Sequence, residues 1–374
     1  MIDLLVTETI SSLDRTAWDR CFPGELESYD YYLAVEEAGV PGFRFRYLAL
    51  IEDQKILAVA PAFVMEYRLD TTVAGRRRRL IGLIDRLTPS LTRLGLVALG
   101  SPVSEICHVG LAPELTPARR PEVLRTLLRG LDEAARREGI ALTGIKDLPA
   151  GAKELTAAAI AEGYQSLPSL PTAHLDLPFA EPDAYLKTLS TGARKDLRRK
   201  LKAASGLRYE WRHNIDDVLD RVMALYDEAH NAAELRFERL TAAYFTRVLA
   251  RLGPRASCLL TWAGDQLVAF NLVLHDEERL IDKFLGMHYP VVKSYNLYYA
   301  TWMANVRLCL GSGIGIYQGG QGDEATKRHL GCRFTDNQLF FRHRRRWLHV
   351  LLRGAARFVR LTGSGSGPEA EIRP

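Results

Sequence analysis

Residues 279–334 read RLIDKFLGMHYPVVKSYNLYYATWMANVRLCLGSGIGIYQGGQGDEATKRHLGCRF, and this stretch decides the fold. Its periodicity predicts a strand, a loop, a helix and a second strand, followed by a short helix and a last strand. The expected bounds are 280–286 for the first strand, 287–296 for the loop, about 294–310 for the helix, 314–318 for the second strand, 324–330 for the short helix and 333–341 for the last strand.

The start of the predicted helix suggests an anion site. The N–H groups near Tyr295–Leu297 would lack partners and carry the positive end of the helix dipole. A diphosphate can bind such a helix start, with the Lys293 side chain adding charge. The candidate cofactor-binding residues are therefore Lys293, Ser294, Tyr295 and Asn296.

The rest of the chain divides into two similar halves. A proline-rich stretch at residues 166–183 marks the expected boundary, which gives halves at 1–175 and 176–345 and a last segment at 346–374. LALIEDQKILAVAPAF in the first half and LLTWAGDQLVAFNLVL in the second both predict hairpins with an Asp-Gln turn. Both halves then continue with a helix, a glycine and a strand. The pattern favours an internal duplication and an α+β fold.

Composition excludes several classes of protein. The chain has 374 residues, of which 47% are hydrophobic and 25% charged, so a disordered chain or a coiled-coil rod does not fit. A net charge of +5 is too small for a dedicated nucleic-acid binder. Five scattered cysteines without a CxxC pair favour a reducing cytosol. No signal peptide and no membrane-spanning run are expected.

Common catalytic motifs are missing. The sequence has no GxxxxGK[ST] phosphate loop, no GxSxG elbow and no HExxH metal pair. Arg136-x-x-Gly139-x-Ala141 matches a coenzyme A string, but it falls at the end of a predicted helix, where carbonyl groups repel an anion. We expect no metal site.

Two segments carry a family resemblance. GQGDEATKRHLG, Gly320–Gly331, is similar to the Gly-Asp-x-x-x-Lys stretch near the end of FemAB-like acyltransferase domains. TGARKDLRRKLKAA, Thr191–Ala204, resembles the basic helix that opens the same domain. The order strand, loop, helix, strand also looks like the acyl-CoA N-acyltransferase (GNAT) fold. The resemblance implies tandem GNAT-like halves, each a mixed, mainly antiparallel sheet flanked by helices, the first structural or substrate-binding and the second the acyltransferase.

The chain departs from the family pattern in two places. The usual coenzyme A glycine signature is missing from 287–296, and Ala325-Thr326 replaces an aromatic residue often found in the Asp-to-Lys stretch.

The resemblance implies direct transfer of an acyl group from a thioester to an amine, with a base, a proton donor and backbone N–H groups at the oxyanion. Asp323 and Glu324 are the candidate bases, and Glu324 alternatively only favours a helix dipole. Tyr317 would protonate the thiolate or would simply pack. Further candidates for substrate binding are Lys327, Arg194, Lys195, Gln318 and Gln321, and Lys327 is alternatively a solvated lysine.

Basic residues cluster at 76–79, 194–202 and 342–353. The second cluster is either a solvated face or a surface for coenzyme A, a phosphorylated substrate or tRNA. The segment 342–361 predicts a basic amphipathic helix, which would either contact an anionic membrane or dock on the protein's own sheet.

Three functions remain as hypotheses. The first is a cytoplasmic N-acyltransferase that uses acyl-CoA as co-substrate and acts on an amine of a small or envelope-related molecule, with contact to the inner face of the membrane as an option. The second is an aminoacyl-tRNA-dependent amide ligase. The third is a non-catalytic binding module in envelope-polymer assembly.

Overall fold

The structure is a computed structural model that describes residues 2–68, 93–233 and 236–363, of which 67, 68, 93, 94 and 355–363 are described by their backbone alone. The basic run 76–79 lies outside the described residues.

The described chain alternates strands and helices. The strands are β1 (Asp3–Thr7), β2 (Phe43–Glu52), β3 (Lys55–Arg68), β4 (Arg93–Leu99), β5 (Gly110–Leu111), β6 (Leu142–Pro149), β7 (Gln165–Asp176), β8 (Leu207–Arg212), β9 (Ala256–Ala263), β10 (Gln266–His275), β11 (Arg279–Met287), β12 (Ile316–Gly320) and β13 (Arg333–His343). The α-helices are α1 (Arg15–Arg20), α2 (Tyr29–Ala38), α3 (Arg120–Arg137), α4 (Lys153–Ala161), α5 (Pro182–Thr188), α6 (Thr191–Ala203), α7 (Leu219–Ala232), α8 (Ala242–Leu252), α9 (Tyr289–Tyr295), α10 (Leu297–Ser312), α11 (Glu324–His329) and α12 (Arg346–Gly363).

The chain forms two compact units. The first takes in Met1–Glu36, Val40–Leu170 and Asp336–Pro374, and the second takes in Glu37–Gly39 and Pro171–Thr335. The expected second half, 176–345, thus differs from the second unit at both ends.

The two units repeat one pattern of strand pairing. The first orders its strands β1-β2-β3-β4-β6-β13, and the second orders them β8-β9-β10-β11-β12-β7. In each order the first three pairs are antiparallel, the fourth pair is parallel, and the last is antiparallel. This repetition agrees with the predicted duplication and the α+β class.

The last strand of each unit comes from the other half of the sequence. β7 follows β6 along the chain, yet its residues Ala173–Asp176 pair with β12. β13 follows β12, yet its residues Asn337–His343 pair with β6. This exchange of strands explains why the units are not two consecutive pieces of sequence.

Local structure agrees with most of the predicted elements. The β2–β3 hairpin turns at Asp53 and Gln54, whose φ angles of 48° and 63° are those of a tight two-residue turn. Residues 183–204, whose pattern predicts one long helix, form the two helices α5 and α6. The side chain of Ser190 accepts from the N–H of Ala193 and so begins α6.

Candidate functional site

The site lies in the second unit, where the parallel strands β11 and β12 stop pairing. Their register runs from Arg279 opposite Ile316 to Ile281 opposite Gln318. Both strands continue past that point, to Met287 and Gly320. Beyond Ile281 and Gln318 the two strands no longer pair with each other, which leaves an opening between them.

The side chain of Asp282 occupies the start of this opening. Its Oδ1 atom accepts from Asn271 Nδ2 at 2.6 Å, and its Oδ2 atom accepts from the Tyr317 hydroxyl at 2.8 Å. Asn305 Nδ2 lies 3.3 Å from the same Oδ2 atom, 3.0 Å from the Tyr317 oxygen and 2.5 Å from Asn271 Oδ1. These four side chains form one hydrogen-bonded group, which we call the Asp282 cluster.

Burial and the neighbouring polar groups shift the pKa of Asp282 in opposite directions. Removal from water raises the pKa of Asp282, whereas the hydrogen bonds from Asn271 and Tyr317 and the charge of Lys327 oppose the rise. Burial and the Asp282 charge raise the pKa of the Tyr317 hydroxyl well above its ordinary value. Burial thus makes Asp282 a stronger base than an exposed aspartate, and it makes Tyr317 a weaker acid than an exposed tyrosine.

Tyr298, in the first turn of α10, carries a buried hydroxyl donor without a hydrogen-bond partner among the described residues. Burial and the charges of Asp323 and Asp282 raise the pKa of Tyr298 well above its ordinary value. A buried donor without an acceptor costs free energy unless a ligand supplies the acceptor.

The predicted polar loop follows β12. Asp323 has a left-handed backbone with φ of 43°, and its carboxylate accepts from the N–H of Thr326 at 3.4 Å as the cap of α11. Glu324 forms an ion pair with Arg328 at 3.1 Å. The buried Lys327 donates through Nζ to the Gln321 carbonyl at 2.8 Å, and Gln318 is buried in β12. The alternative of a solvated Lys327 is wrong.

The expected loop at 287–296 is wrong, because Tyr289–Tyr295 within it form the helix α9. Lys293, Ser294 and Tyr295 are the last three residues of α9, at the negative end of that helix dipole rather than at a helix start. Asn296 adopts φ of 48° and separates α9 from α10. Only Asn296 thus stands at a helix start.

A carboxylate of the protein itself occupies the start of α9. Glu228 Oε2 accepts from the N–H of Tyr289 at 2.9 Å, and Glu228 Oε1 lies 2.9 Å from His288 Nδ1. The His288 ring and the Tyr289 N–H hold the pKa of Glu228 below its usual value, against the effect of burial. A ligand anion at this point would meet the negative charge of Glu228.

The basic helix α6 contains both paired and unpaired cations. Asp196 binds Arg199 at 2.7 Å and Lys200 at 2.8 Å, and the Lys200 ammonium also lies 3.5 Å from the centre of the Tyr299 ring. Arg194 and Lys195 form no ion pair with any described residue. Because Tyr299 is next to Tyr298, α6 lies beside the start of α10.

Sequence reasoning found Tyr317 but missed Asp282, Asn271, Asn305 and Tyr298. One signal was present: Asp282 is the only acidic residue in the predicted strand RLIDKFLGM and directly follows two apolar residues. Its partners could not be found in this way because Asn305 lies 23 positions away in sequence.

Two further findings concern metals and membranes. No group of three or more His, Cys, Asp or Glu side chains is placed to hold a metal ion in the described parts of the chain. Across those same parts, no helix combines the length and the apolar character needed to cross a bilayer.

Residues 191–328, about a third of the chain, match the family model described as an acetyltransferase (GNAT) domain. No curated protein matches the sequence. Among solved structures, FemX aligns with a TM-score of 0.56 at 12% identity, over 94% of this chain and 100% of that one.

Two other solved structures have a similar fold. A tandem GNAT protein from the clavulanic acid biosynthesis pathway aligns with a TM-score of 0.52 at 11% identity, over 92% of this chain and 99% of that one. L-PGS from Bacillus licheniformis aligns with a TM-score of 0.51 at 12% identity, over 88% and 96%. Identities this low show the fold alone. The chain thus contains a GNAT-type acetyltransferase domain at 191–328, and its α+β fold is that of tandem GNAT proteins.

Proposed function

We propose that the protein transfers an acyl group from an acyl thioester, most simply an acyl-CoA, to the amine of a small or envelope-related molecule. The observation that carries this proposal is the Tyr298 hydroxyl, a buried donor without a partner beside the opening between β11 and β12. A thioester carbonyl at this point would supply the missing acceptor. Its oxygen gains negative charge during attack, so the hydrogen bond strengthens in the transition state.

The Asp282 cluster supports the other half of the reaction. The acceptor nitrogen attacks the carbonyl carbon and its proton passes to the Asp282 carboxylate, whose pKa burial raises. The carbon–sulfur bond then breaks, and the proton held by Asp282 passes through water to the departing thiolate, which regenerates the base. Asp323 is the alternative base, since it lies at the same end of β12 and acts electrostatically on Tyr298.

The remaining predicted residues keep their proposed roles. Lys327, Gln318 and Gln321 would bind substrate beside the opening, and Lys293 to Asn296 would contact the anionic part of the donor from the junction of α9 and α10. Glu324 stays a predicted base, with its carboxylate paired to Arg328. We also propose a cytoplasmic location and a structural or substrate-binding role for the first unit.

Thiol release from acyl-CoA in the presence of candidate amines tests the proposal. Asp282→Asn should lower kcat/KM by about 10²–10⁴-fold because the base is lost. Asp265→Asn is the matched control, since Asp265 is an exposed residue of the β9–β10 turn. Asp323→Asn separates the two candidate bases. Normal activity of Asp282→Asn would overturn its assignment, and absence of thiol release with every acyl-CoA would overturn the donor.

An aminoacyl-tRNA donor is the second candidate, and the unpaired Arg194 and Lys195 of α6 favour it. These cations would bind phosphates beside the start of α10, and binding would weaken steeply as salt rises. Arg194→Gln with Lys195→Gln should reduce both tRNA affinity and its salt dependence. Arg199→Gln is the control, because Arg199 already pairs with Asp196. Equal tRNA affinity in the double variant and the control would contradict this donor. A protein inactive with both donors would instead fit the non-catalytic binding module.

A further inference from the structure

The helix α12 leaves an apolar face uncovered. The side chains of Trp347, Val350 and Leu351 are 60%, 61% and 62% exposed. Their spacing of three and four positions places them on one side of the helix, and Gly354, also exposed, continues the same side. We call Trp347, Val350, Leu351 and Gly354 the apolar stripe.

The opposite side of α12 already has a partner within the first unit. The ring of His349 lies 5.9 Å from that of Phe341 in β13, and its Nδ1 atom accepts from the N–H of His343 at 3.3 Å. Leu348 and Leu352 are partly buried on that side. The helix is therefore anchored by one face, and docking on its own unit does not account for the apolar stripe.

Several arginine residues lie beside the apolar stripe. Arg344, Arg345 and Arg346 are exposed at the start of the helix and pair with no acidic side chain among the described residues. Arg353, seven positions after Arg346, lies on the same flank of the helix. Exposed apolar residues bordered by cations match a surface that is apolar inside and anionic at its boundary.

We propose that the apolar stripe of α12 binds the surface of an anionic lipid bilayer. Trp347 and Leu351 would enter the boundary between headgroups and acyl chains, and the arginines would contact lipid phosphates. The helix lies in the surface and does not span it. The proposal is independent of the acyl-transfer chemistry, because α12 belongs to the first unit and the catalytic residues belong to the second.

Vesicle sedimentation with the full chain tests the proposal. We expect the protein to bind phosphatidylcholine vesicles that contain about one third phosphatidylglycerol, and to bind pure phosphatidylcholine at least about tenfold more weakly. Raising the salt concentration should release the protein from the anionic vesicles.

Two double variants separate the apolar contribution to vesicle binding from the electrostatic contribution. Trp347→Ser with Leu351→Ser should reduce partitioning by about tenfold or more, and Arg346→Gln with Arg353→Gln should remove most of the preference for anionic lipid. Ile160→Ser is the control, because Ile160 is also 62% exposed but lies on α4. All these residues are at the surface or its edge, so thermal unfolding should confirm that each variant folds.

Three results would overturn the proposal. One is equal vesicle binding by the stripe variant and Ile160→Ser, and another is equal binding to neutral and anionic vesicles. The third is a combination of two observations: the protein does not bind vesicles, and sedimentation velocity without lipid shows a dimer that Trp347→Ser disrupts. The apolar stripe would then contact a second copy of the chain.

Discussion

Two tyrosines at one site have opposite hydrogen-bonding states. The Tyr317 hydroxyl donates to Asp282 and accepts from Asn305, whereas the Tyr298 hydroxyl has no partner among the described residues. The Trp302 ring lies between them, 4.5 Å from the Tyr317 ring and 6.4 Å from that of Tyr298. A group that is already bonded contributes to stability, and a group that is free can bind substrate.

Replacing each tyrosine by phenylalanine should separate these two roles. Tyr298→Phe removes no hydrogen bond from the folded protein, so its unfolding free energy should change by less than about 0.5 kcal/mol. Its kcat should fall by about 10²-fold if the hydroxyl binds the oxyanion. Tyr317→Phe should cost about 1–3 kcal/mol, because the buried Asp282 loses a donor.

Urea unfolding and thiol-release kinetics on the same preparations measure both effects. If Tyr298→Phe is as destabilising as Tyr317→Phe and keeps full activity, Tyr298 is a structural residue and does not bind the oxyanion.

The strand β12 approaches the helix α10 closely at one glycine. A Cβ atom added to Gly319 would lie 2.8 Å from the Trp302 ring, which itself packs on Tyr317. Contacts this short force the indole to move. Gly315, just before β12, has only the Glu278 carbonyl oxygen at 4.0 Å.

Gly319→Ala should therefore destabilise the protein by about 1–3 kcal/mol, and Gly315→Ala should change stability by less than about 1 kcal/mol. Thermal or urea unfolding measures the difference between these matched variants. Activity should fall only in Gly319→Ala, since the displaced indole moves Tyr298 and Tyr317. Equal midpoints for the two variants would show that the indole is not held in place by its neighbours.

At the level of elements, the sequence predicted those strands and helices whose position depends on the local residue pattern. The strands expected at 280–286 and 333–341 occur at Arg279–Met287 and Arg333–His343. Periodicity did not predict the breaks before Ser190 and at Asn296, because each depends on the backbone of a single residue within a helical pattern. The Asp282 cluster was also missed, since its members come from β10, β11, α10 and β12 and meet only through tertiary structure.

At the scale of the whole molecule, the domain boundary expected from composition differs from the boundary that contacts between residues define. Proline-rich residues 166–183 mark a change in the sequence, but β7 runs through this region, and the boundary between the units falls within it, after Leu170. Its residues Ala173 and Leu175 are buried in the same core as Tyr317 and pair with β12. Strand pairing between distant segments leaves no local signal, so the exchange of β7 and β13 could not be predicted from the sequence.

This exchange predicts how fragments of the chain behave. A fragment of residues 176–345 loses Ala173 to Leu175, the partners of β12, and keeps Asn337–His343 without β6. It would expose two unpaired strand edges, which favour aggregation. A fragment of residues 171–335 keeps the first edge paired and omits the second.

We expect the 171–335 fragment to be monomeric and to unfold cooperatively in urea, and the 176–345 fragment to aggregate or to unfold without a sharp transition. Far-ultraviolet circular dichroism and sedimentation velocity compare the two. The full chain is the control for the native midpoint. If the 176–345 fragment unfolds as sharply as the 171–335 fragment, residues 173–175 do not stabilise β12, and the position of Tyr317 must depend on the helix packing of α10 alone.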